Sequence, residues 1–192
     1  MQLDVIFQLA VLVLSVVVHE VSHGFAANYL GDPTARLEGR LTLNPLPHID
    51  PIGSVLVPLL LFFTNAGIMF GWAKPVPVNP YNLRGKYGEA MVAVAGPLSN
   101  LGIALVFGLL IRFGSGLMSP AFLHIAVIVV IINIVLAIFN LVPIPPLDGS
   151  RILFAFLPYH TQNIKDALER YGFFIVLFFI VFLWQYLTPV IG

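Results

Sequence analysis

Long apolar runs without Asp, Glu, Lys or Arg restrict this chain more than any other feature. They cover residues 90–111, 121–142 and 171–191, and about 20 such residues are enough for a helix to cross a bilayer. Only 9% of the 192 residues are charged, against about 25% in soluble domains. The sequence therefore predicts an all-α integral membrane protein, with a length that suits one compact bundle.

A further apolar run begins at the N-terminus and predicts a helix over about residues 4–30. Asp4 makes its start acidic, whereas a signal peptide has a basic start and a cleavage site of small residues. We therefore expect a retained span. Gly31 and Pro33 end the helix, because glycine caps helices and proline cannot continue one. The predicted architecture is a bundle of about four transmembrane helices in a single polytopic domain, residues 1–192.

Two shorter segments complete the expected fold. Residues 52–69 are apolar, but Pro58, Asn65 and Gly67 interrupt them. We expect a re-entrant segment, although an ordinary short span is the alternative. Residues 72–78 alternate in character and contain two prolines, which predicts a small strand-like loop with an irregular edge.

The first predicted helix contains an HExxH motif, His19-Glu20-Val21-Ser22-His23. Residues four apart lie about 40° apart on one helix face, so both imidazoles can reach one metal ion. Glu20 projects between them, which suits a base acting on a nearby water. The alternative is two ordinary helix histidines and a buried glutamate with polar neighbours. An ionisable group within a span costs about 2.5–3.5 kcal/mol, which favours the functional interpretation.

A hydrolytic zinc site needs a third protein ligand and one open position for water. The chain has no cysteine, so this ligand must be His, Asp or Glu. Asp148 follows a segment with three prolines and precedes a glycine, but the same residue could instead cap a helix over residues 150–157. Spacing alone leaves the choice open, and the other candidates are His48, Asp50, His124 and His160.

Three motifs together resemble those of the site-2 proteases, a family of intramembrane zinc metalloproteases. In chain order they are the HExxH motif, Ala95-Gly96-Pro97-Leu98-Ser99-Asn100, and Pro146-Leu147-Asp148-Gly149. The resemblance spans residues 15 to about 155. It implies one Zn²⁺ per chain, held by His19, His23 and Asp148, with Glu20 as the catalytic general base. It also implies that Asn140 helps to position the substrate.

Two loops, residues 44–51 and 71–77, look like those of compact bacterial and archaeal members of this family. The connection at residues 112–120 is too short for a PDZ domain, so we expect a compact member without one. We also expect no span before the motif helix, which suggests a differently built substrate gate.

The resemblance makes a prediction about topology. His19 and Asp148 can meet only if the first helix and the helix over residues 121–142 run in the same direction. Residues 90–111 supply one crossing between them, so residues 52–69 must enter and leave on one side. Of nine Lys and Arg residues, eight then share a side and only Arg112 lies opposite. The positive-inside rule puts that side, with the zinc end, in the cytoplasm.

The expected activity is zinc-dependent hydrolysis of a peptide bond in or near the transmembrane segment of a membrane protein. The partners are a substrate helix that can unwind and the lipid bilayer of a prokaryotic cell membrane. A formal net charge of zero gives no indication of a nucleic-acid partner. Two alternatives remain: a membrane transporter of metal ions using the same ligands, and a non-catalytic family member that binds membrane partners.

Overall fold

The computed structural model describes residues 2–64, 71–158 and 161–191, with no side-chain description beyond residue 178. The helices are α1 (Gln2–Tyr29), α2 (Thr34–Leu37), α3 (Val57–Phe63), α4 (Gly88–Gly114), α5 (Pro120–Asn140), α6 (Asp148–Phe156) and α7 (Gln162–Ile191). A π-helical turn, Pro51–Leu56, leads into α3. Short 3-10 turns lie at Leu46–His48, Pro80–Asn82 and Ser115–Leu117. The predicted all-α class is confirmed.

Three helices in the described part of the chain are long and apolar enough to cross a membrane. They are Val5–Tyr29, Gly88–Gly114 and Pro120–Asn140, with 25, 27 and 21 residues. At about 1.5 Å per residue each exceeds or matches a hydrocarbon core of about 30 Å. The predicted helices at residues 4–30, 90–111 and 121–142 are therefore confirmed. The fourth predicted span, residues 171–191, lies within α7, and its crossing stays a prediction.

Helix α4 occupies the centre of the bundle, where it packs against α1, α5 and α6. Small side chains line the contacts: Ala27, Ala93, Ala126 and Ala137 are fully buried. Without a hydrophobic driving force between helices in lipid, such small residues allow the close backbone approach that holds them together. The large apolar side chains face outward instead, as Leu105 does at 63% exposure, which is the arrangement that lipid favours.

The helix directions follow from contacts between α1 and α4. Ser15 lies beside Asn100, and His23 lies beside Val92, so the two helices run antiparallel. A connection of five residues separates α4 from α5, which packs back along α4. Helices α1 and α5 therefore run in the same direction, as the topology argument requires.

The chain between residues 48 and 74 returns to its starting point. The Trp72 N–H donates to the Gly53 carbonyl at 3.1 Å, and the Lys74 N–H donates to the His48 carbonyl at 2.8 Å. The indole of Trp72 lies against Gly53 so closely that a side chain there would collide with it. Because its two ends are hydrogen-bonded, the segment enters and leaves on one side of the bundle. This agrees with the predicted re-entrant segment, but residues 65–70 lie outside the described part, and the failure of residues 52–69 to cross a membrane stays a prediction.

The loop over residues 71–79 is irregular, with neither helix nor β-ladder. The predicted strand-like loop thus forms no β-ladder and is held by individual hydrogen bonds. Its far end is fixed by Asp32, a fully buried carboxylate, which accepts from the Asn79 N–H at 2.7 Å and from the Asn82 amide at 3.0 Å. Asp32 therefore joins the chain just after α1 to the end of this loop.

Candidate metal centre

Two histidines of α1 face the centre of the bundle. His19 and His23 are 5% and 7% exposed, and their Nε2 atoms lie 3.1 Å apart. The rings meet edge to face, with centroids 4.6 Å apart. The four-residue spacing of the motif thus brings both imidazoles to one point, as the helical geometry predicts.

Asp148 reaches the same point from α6, of which it is the first residue. Its Oδ2 lies 3.1 Å from His19 Nε2 and 3.2 Å from His23 Nε2. The carboxylate does not cap its helix, since Leu147 is the N-cap and makes no side-chain capping bond. The capping alternative is therefore wrong.

The outer nitrogen of each ring has a polar partner. His19 Nδ1 lies 2.6 Å from Asn100 Oδ1, and His23 Nδ1 lies 2.7 Å from the Val92 carbonyl oxygen. Both partners are acceptors, so each Nδ1 carries a hydrogen. In the neutral imidazoles, Nε2 then presents a lone pair toward Asp148.

Three electron-pair donors therefore converge: two Nε2 atoms and one carboxylate oxygen, each 3.1–3.2 Å from the other two. Such a set repels itself unless a cation or an additional proton lies among its members. Two ligands at 2.0–2.1 Å from a tetrahedral zinc ion are about 3.3 Å apart. The triangle fits one face of such a site. Among the described residues, it is the group found whose ligand atoms lie close enough together to hold a metal ion.

Gly96 of α4 closes one side of the triangle. A Cβ at this position would lie 2.4 Å from His23 Nε2 and 2.6 Å from His19 Cε1. No side chain other than hydrogen fits without moving the imidazoles. The glycine of the second sequence motif therefore leaves room for both candidate ligands.

Glu20 lies beside this triangle but is not part of it. Its Oε2 accepts a hydrogen bond from the Val76 N–H at 2.9 Å. Val76 stands between Pro75 and Pro77, which have no N–H, so it is the sole main-chain donor of that triplet. The loop thus holds one carboxylate oxygen of Glu20.

The buried Arg40 also holds this loop in place by hydrogen bonds. Its guanidinium donates to the carbonyls of Lys74, at 2.9 Å, and Pro75, at 3.2 Å. These two carbonyls directly precede the Val76 N–H. The sequence analysis did not find this clamp, because Arg40 and the loop are more than 30 residues apart.

The alternative third ligands have structural roles. His48 Nε2 lies 3.0 Å from the Thr42 carbonyl, and Asp50 caps the turn that follows it by accepting from the Ile52 and Gly53 N–H groups. His124 is an exposed residue near the start of α5, and His160 lies outside the described residues. The structure brings none of the three described alternatives to the paired histidines.

Asn140 is the last residue of α5, and its amide nitrogen donates to the Leu136 carbonyl at 3.0 Å. This bond lies within its own helix. The structure therefore places Asn140 near the segment that leads to Asp148, without joining it to the triangle.

Comparison with known proteins agrees with this geometry. The chain is 38% identical to YwhC of Bacillus subtilis, which carries the name of a zinc metalloprotease, over 186 residues, covering 93% of this chain and 78% of that protein. The model of peptidase family M50 matches residues 113–183. The chain belongs to peptidase family M50. The predicted resemblance to site-2 proteases is thereby confirmed.

More distant M50 relatives are mycobacterial. The chain is 32% identical to the Rip2 protein of Mycolicibacterium smegmatis, also named as a zinc metalloprotease, over 178 residues. That match covers 88% of this chain and 64% of the relative, so the chain spans slightly less than two thirds of the relative's length. No solved structure matches.

No role was predicted for Gly96 or Asn100, which were recognised only as parts of a family motif. Nor was a role predicted for Asn133, which lies behind Asn100. For the two asparagines the available signal was polarity, because an amide within an apolar span needs a partner. The Val76 N–H could not have been found this way, since main-chain donors leave no mark on the sequence.

Proposed function

We propose that this M50 protein is a zinc-dependent intramembrane endopeptidase that hydrolyses a peptide bond in or near a transmembrane segment of a membrane protein. The observation that carries the proposal is the triangle of His19, His23 and Asp148 beside Glu20, inside a bundle of membrane-spanning helices. Residues 1–192 act as one polytopic protease domain with one Zn²⁺. The partners are the substrate helix and the bilayer, without nucleic acid.

In this proposal each polar group has one task. His19, His23 and Asp148 hold the ion, which supplies a Lewis acid and lowers the pKa of water to about 7. Glu20 takes the proton from the attacking water and delivers it to the leaving amine. The Val76 N–H holds Glu20 Oε2, which leaves the second oxygen to act as the base.

The substrate must expose its peptide bond, because a helix hides its main-chain groups in internal hydrogen bonds. Unwinding leaves those groups unsatisfied, at several kcal/mol each in lipid. Loop 71–79 is free of helix and hydrogen-bonds to Glu20, so we propose that it pairs with the unwound strand. The N–H groups of Trp72, Lys74 and Val76 are already used, and Pro75 and Pro77 have none, so the loop would pair with the substrate mainly through its carbonyl oxygens. Asn140 is proposed to help hold it.

The metal end is proposed to face the cytoplasm. If residues 52–69 do not cross, as the contact between residues 53 and 72 supports, eight of the nine basic residues share the side of the metal centre, and Arg112 near the end of α4 lies on the other. Basic residues prefer the cytoplasmic side. The bacterial relatives support a prokaryotic membrane.

Glu20→Gln tests the catalytic assignment. The amide keeps the shape of the side chain and cannot accept the proton, so cleavage of a transmembrane peptide should fall by about 10²–10⁴-fold. Zinc content should equal that of the unaltered protein, and Glu38→Gln, an exposed change, should leave both unchanged.

The same assay separates the alternatives. A metal transporter would move zinc into vesicles and leave the peptide intact, and a non-catalytic binder would retain the peptide without cutting it. Cleavage by zinc-loaded Glu20→Gln at the normal rate would show that another group is the base.

A further inference from the structure

A chain of buried amides lies behind His19, on the side opposite Asp148. Asn100 of α4 and Asn133 of α5 are both fully buried. His19 Nδ1 lies 2.6 Å from Asn100 Oδ1, and Asn100 Nδ2 lies 2.8 Å from Asn133 Oδ1. We call His19, Asn100 and Asn133 the asparagine relay. It joins the three membrane-spanning helices α1, α4 and α5.

A main-chain carbonyl fixes the direction of every hydrogen bond in the relay. The Val129 carbonyl lies 2.9 Å from Asn133 and can only accept, so the group facing it is the NH₂ of that amide. Asn133 must then turn its oxygen toward Asn100. The Asn133 oxygen then accepts from the NH₂ of Asn100, which leaves the Asn100 oxygen facing His19. The Ser15 carbonyl, 3.4 Å from the same NH₂ of Asn100, agrees with this direction but lies at the outer limit of a hydrogen bond and is too weak to hold the amide by itself.

This direction decides the tautomer of His19. Because the Asn100 oxygen can only accept, the ring hydrogen stays on Nδ1, and Nε2 keeps its lone pair toward His23 and Asp148. His23 is fixed differently, by a direct bond from Nδ1 to the Val92 carbonyl. The tautomer of His23 is thus set directly by a main-chain carbonyl of α4, whereas the tautomer of His19 is set through the amides of Asn100 and Asn133.

We propose that Asn100 and Asn133 are positioning residues that preset His19 as a metal ligand, with the Val129 carbonyl as the fixed point of the relay. The proposal rests on the proposed metal site, and it goes beyond that site by assigning a role to a residue of α5 that does not touch any ligand. A reversed Asn133 would turn its oxygen toward the Val129 carbonyl in a fully buried place, so the alternative tautomer is disfavoured.

Asn133→Leu tests the relay in the full-length, zinc-loaded protein in detergent. Leucine has the same branching as asparagine, although it is larger, and it offers no acceptor to Asn100, which can then reverse. Competition with a zinc chelator of known affinity should show zinc bound about 10–100-fold more weakly, the usual effect of losing an outer-shell partner. Asn100→Leu should weaken binding by a similar factor.

The double variant shows whether the two residues act in series. If Asn133 acts through Asn100, Asn133→Leu should add no further loss to Asn100→Leu. Additive losses would overturn the relay, as would unchanged zinc affinity in folded Asn133→Leu. Should Asn133→Leu fail to fold, Asn133→Ala removes the same acceptor without adding volume, and an unchanged affinity there would also overturn it.

Ser15→Ala is the matched control. Ser15 Oγ lies 2.9 Å from Asn133 Nδ2, but a hydroxyl can donate or accept and so cannot set the direction. Its removal should leave zinc affinity unchanged while Val129 still holds Asn133. Zinc affinity is measured without cleavage, so a protein that binds zinc normally but fails to cut contradicts the proposed function and not the relay.

Discussion

At the scale of single residues, the metal centre depends on what is missing as much as on what is present. Gly96 has no side chain, and this lets α4 approach both imidazoles of α1. Val76 is the one residue of its Pro-Val-Pro triplet with an N–H, and that N–H goes to Glu20. Small or absent groups therefore position the reactive ones.

Gly96→Ala should abolish tight zinc binding. The new methyl group would lie 2.4 Å from His23 Nε2, well inside contact distance, so the imidazoles or α4 must move. Metal analysis of the purified protein measures the loss. Gly102→Ala is the control on the same helix, because nothing lies within 4 Å of the added carbon. Equal zinc content in the two variants would contradict the close approach.

At the scale of elements, the loop over residues 71–79 and the helices have separate tasks. The helices hold the triangle, whereas the loop reaches Glu20 through Val76 and is fastened by Arg40. Two consecutive carbonyls on one guanidinium leave the loop little freedom to slide. The candidate metal centre and the proposed base are therefore positioned by different parts of the chain.

Arg40→Met should lower cleavage with zinc content unchanged. Methionine retains an apolar stem but cannot hold the carbonyls of Lys74 and Pro75, so the Val76 N–H is no longer fixed against Glu20. We expect a loss of about tenfold, which corresponds to one charge-assisted hydrogen bond of roughly 1.5 kcal/mol. Arg36→Met, at an exposed site, is the control. A parallel loss of zinc would instead mean that the loop supports the metal centre.

At the scale of the whole molecule, the site exists because α1 and α5 run in the same direction and α6 follows α5. Had residues 52–69 crossed the membrane, Asp148 would lie at the opposite end of the bundle from His19 and His23. The hydrogen bonds between Gly53 and Trp72, and between His48 and Lys74, hold the two ends of this segment together, which is the arrangement expected of a segment that does not cross.

Cysteine labelling in oriented vesicles measures this topology, and the cysteine-free chain has no background. Leu43→Cys and Tyr81→Cys, at positions 63% and 97% exposed, flank the returning segment and should react with an impermeant thiol reagent from the same face. Leu117→Cys, at a position 95% exposed in the turn between α4 and α5, should react from the other. Labelling of Leu43→Cys and Tyr81→Cys from opposite faces would rule out the proposed topology.

The sequence by itself determined three membrane helices and two of the three candidate ligands. Apolar runs of about 20 residues are sufficient to predict membrane helices, and the four-residue spacing of His19 and His23 is a local property of one helix. Asp148 was predicted as the third ligand only through a family resemblance, because sequence spacing alone could not choose between it and His48, Asp50 and other candidates.

The tertiary structure decided everything that depends on contacts between distant elements. Asp148 joins His19 across 129 positions of sequence, Val76 reaches Glu20 across 56, and Asn100 reaches His19 across 81. A hydrogen bond to a main-chain carbonyl or N–H has no residue signature at its far end. The sequence therefore contained the reactive groups, but only the packing of α4 between α1 and α5 selected their partners and the tautomer of His19.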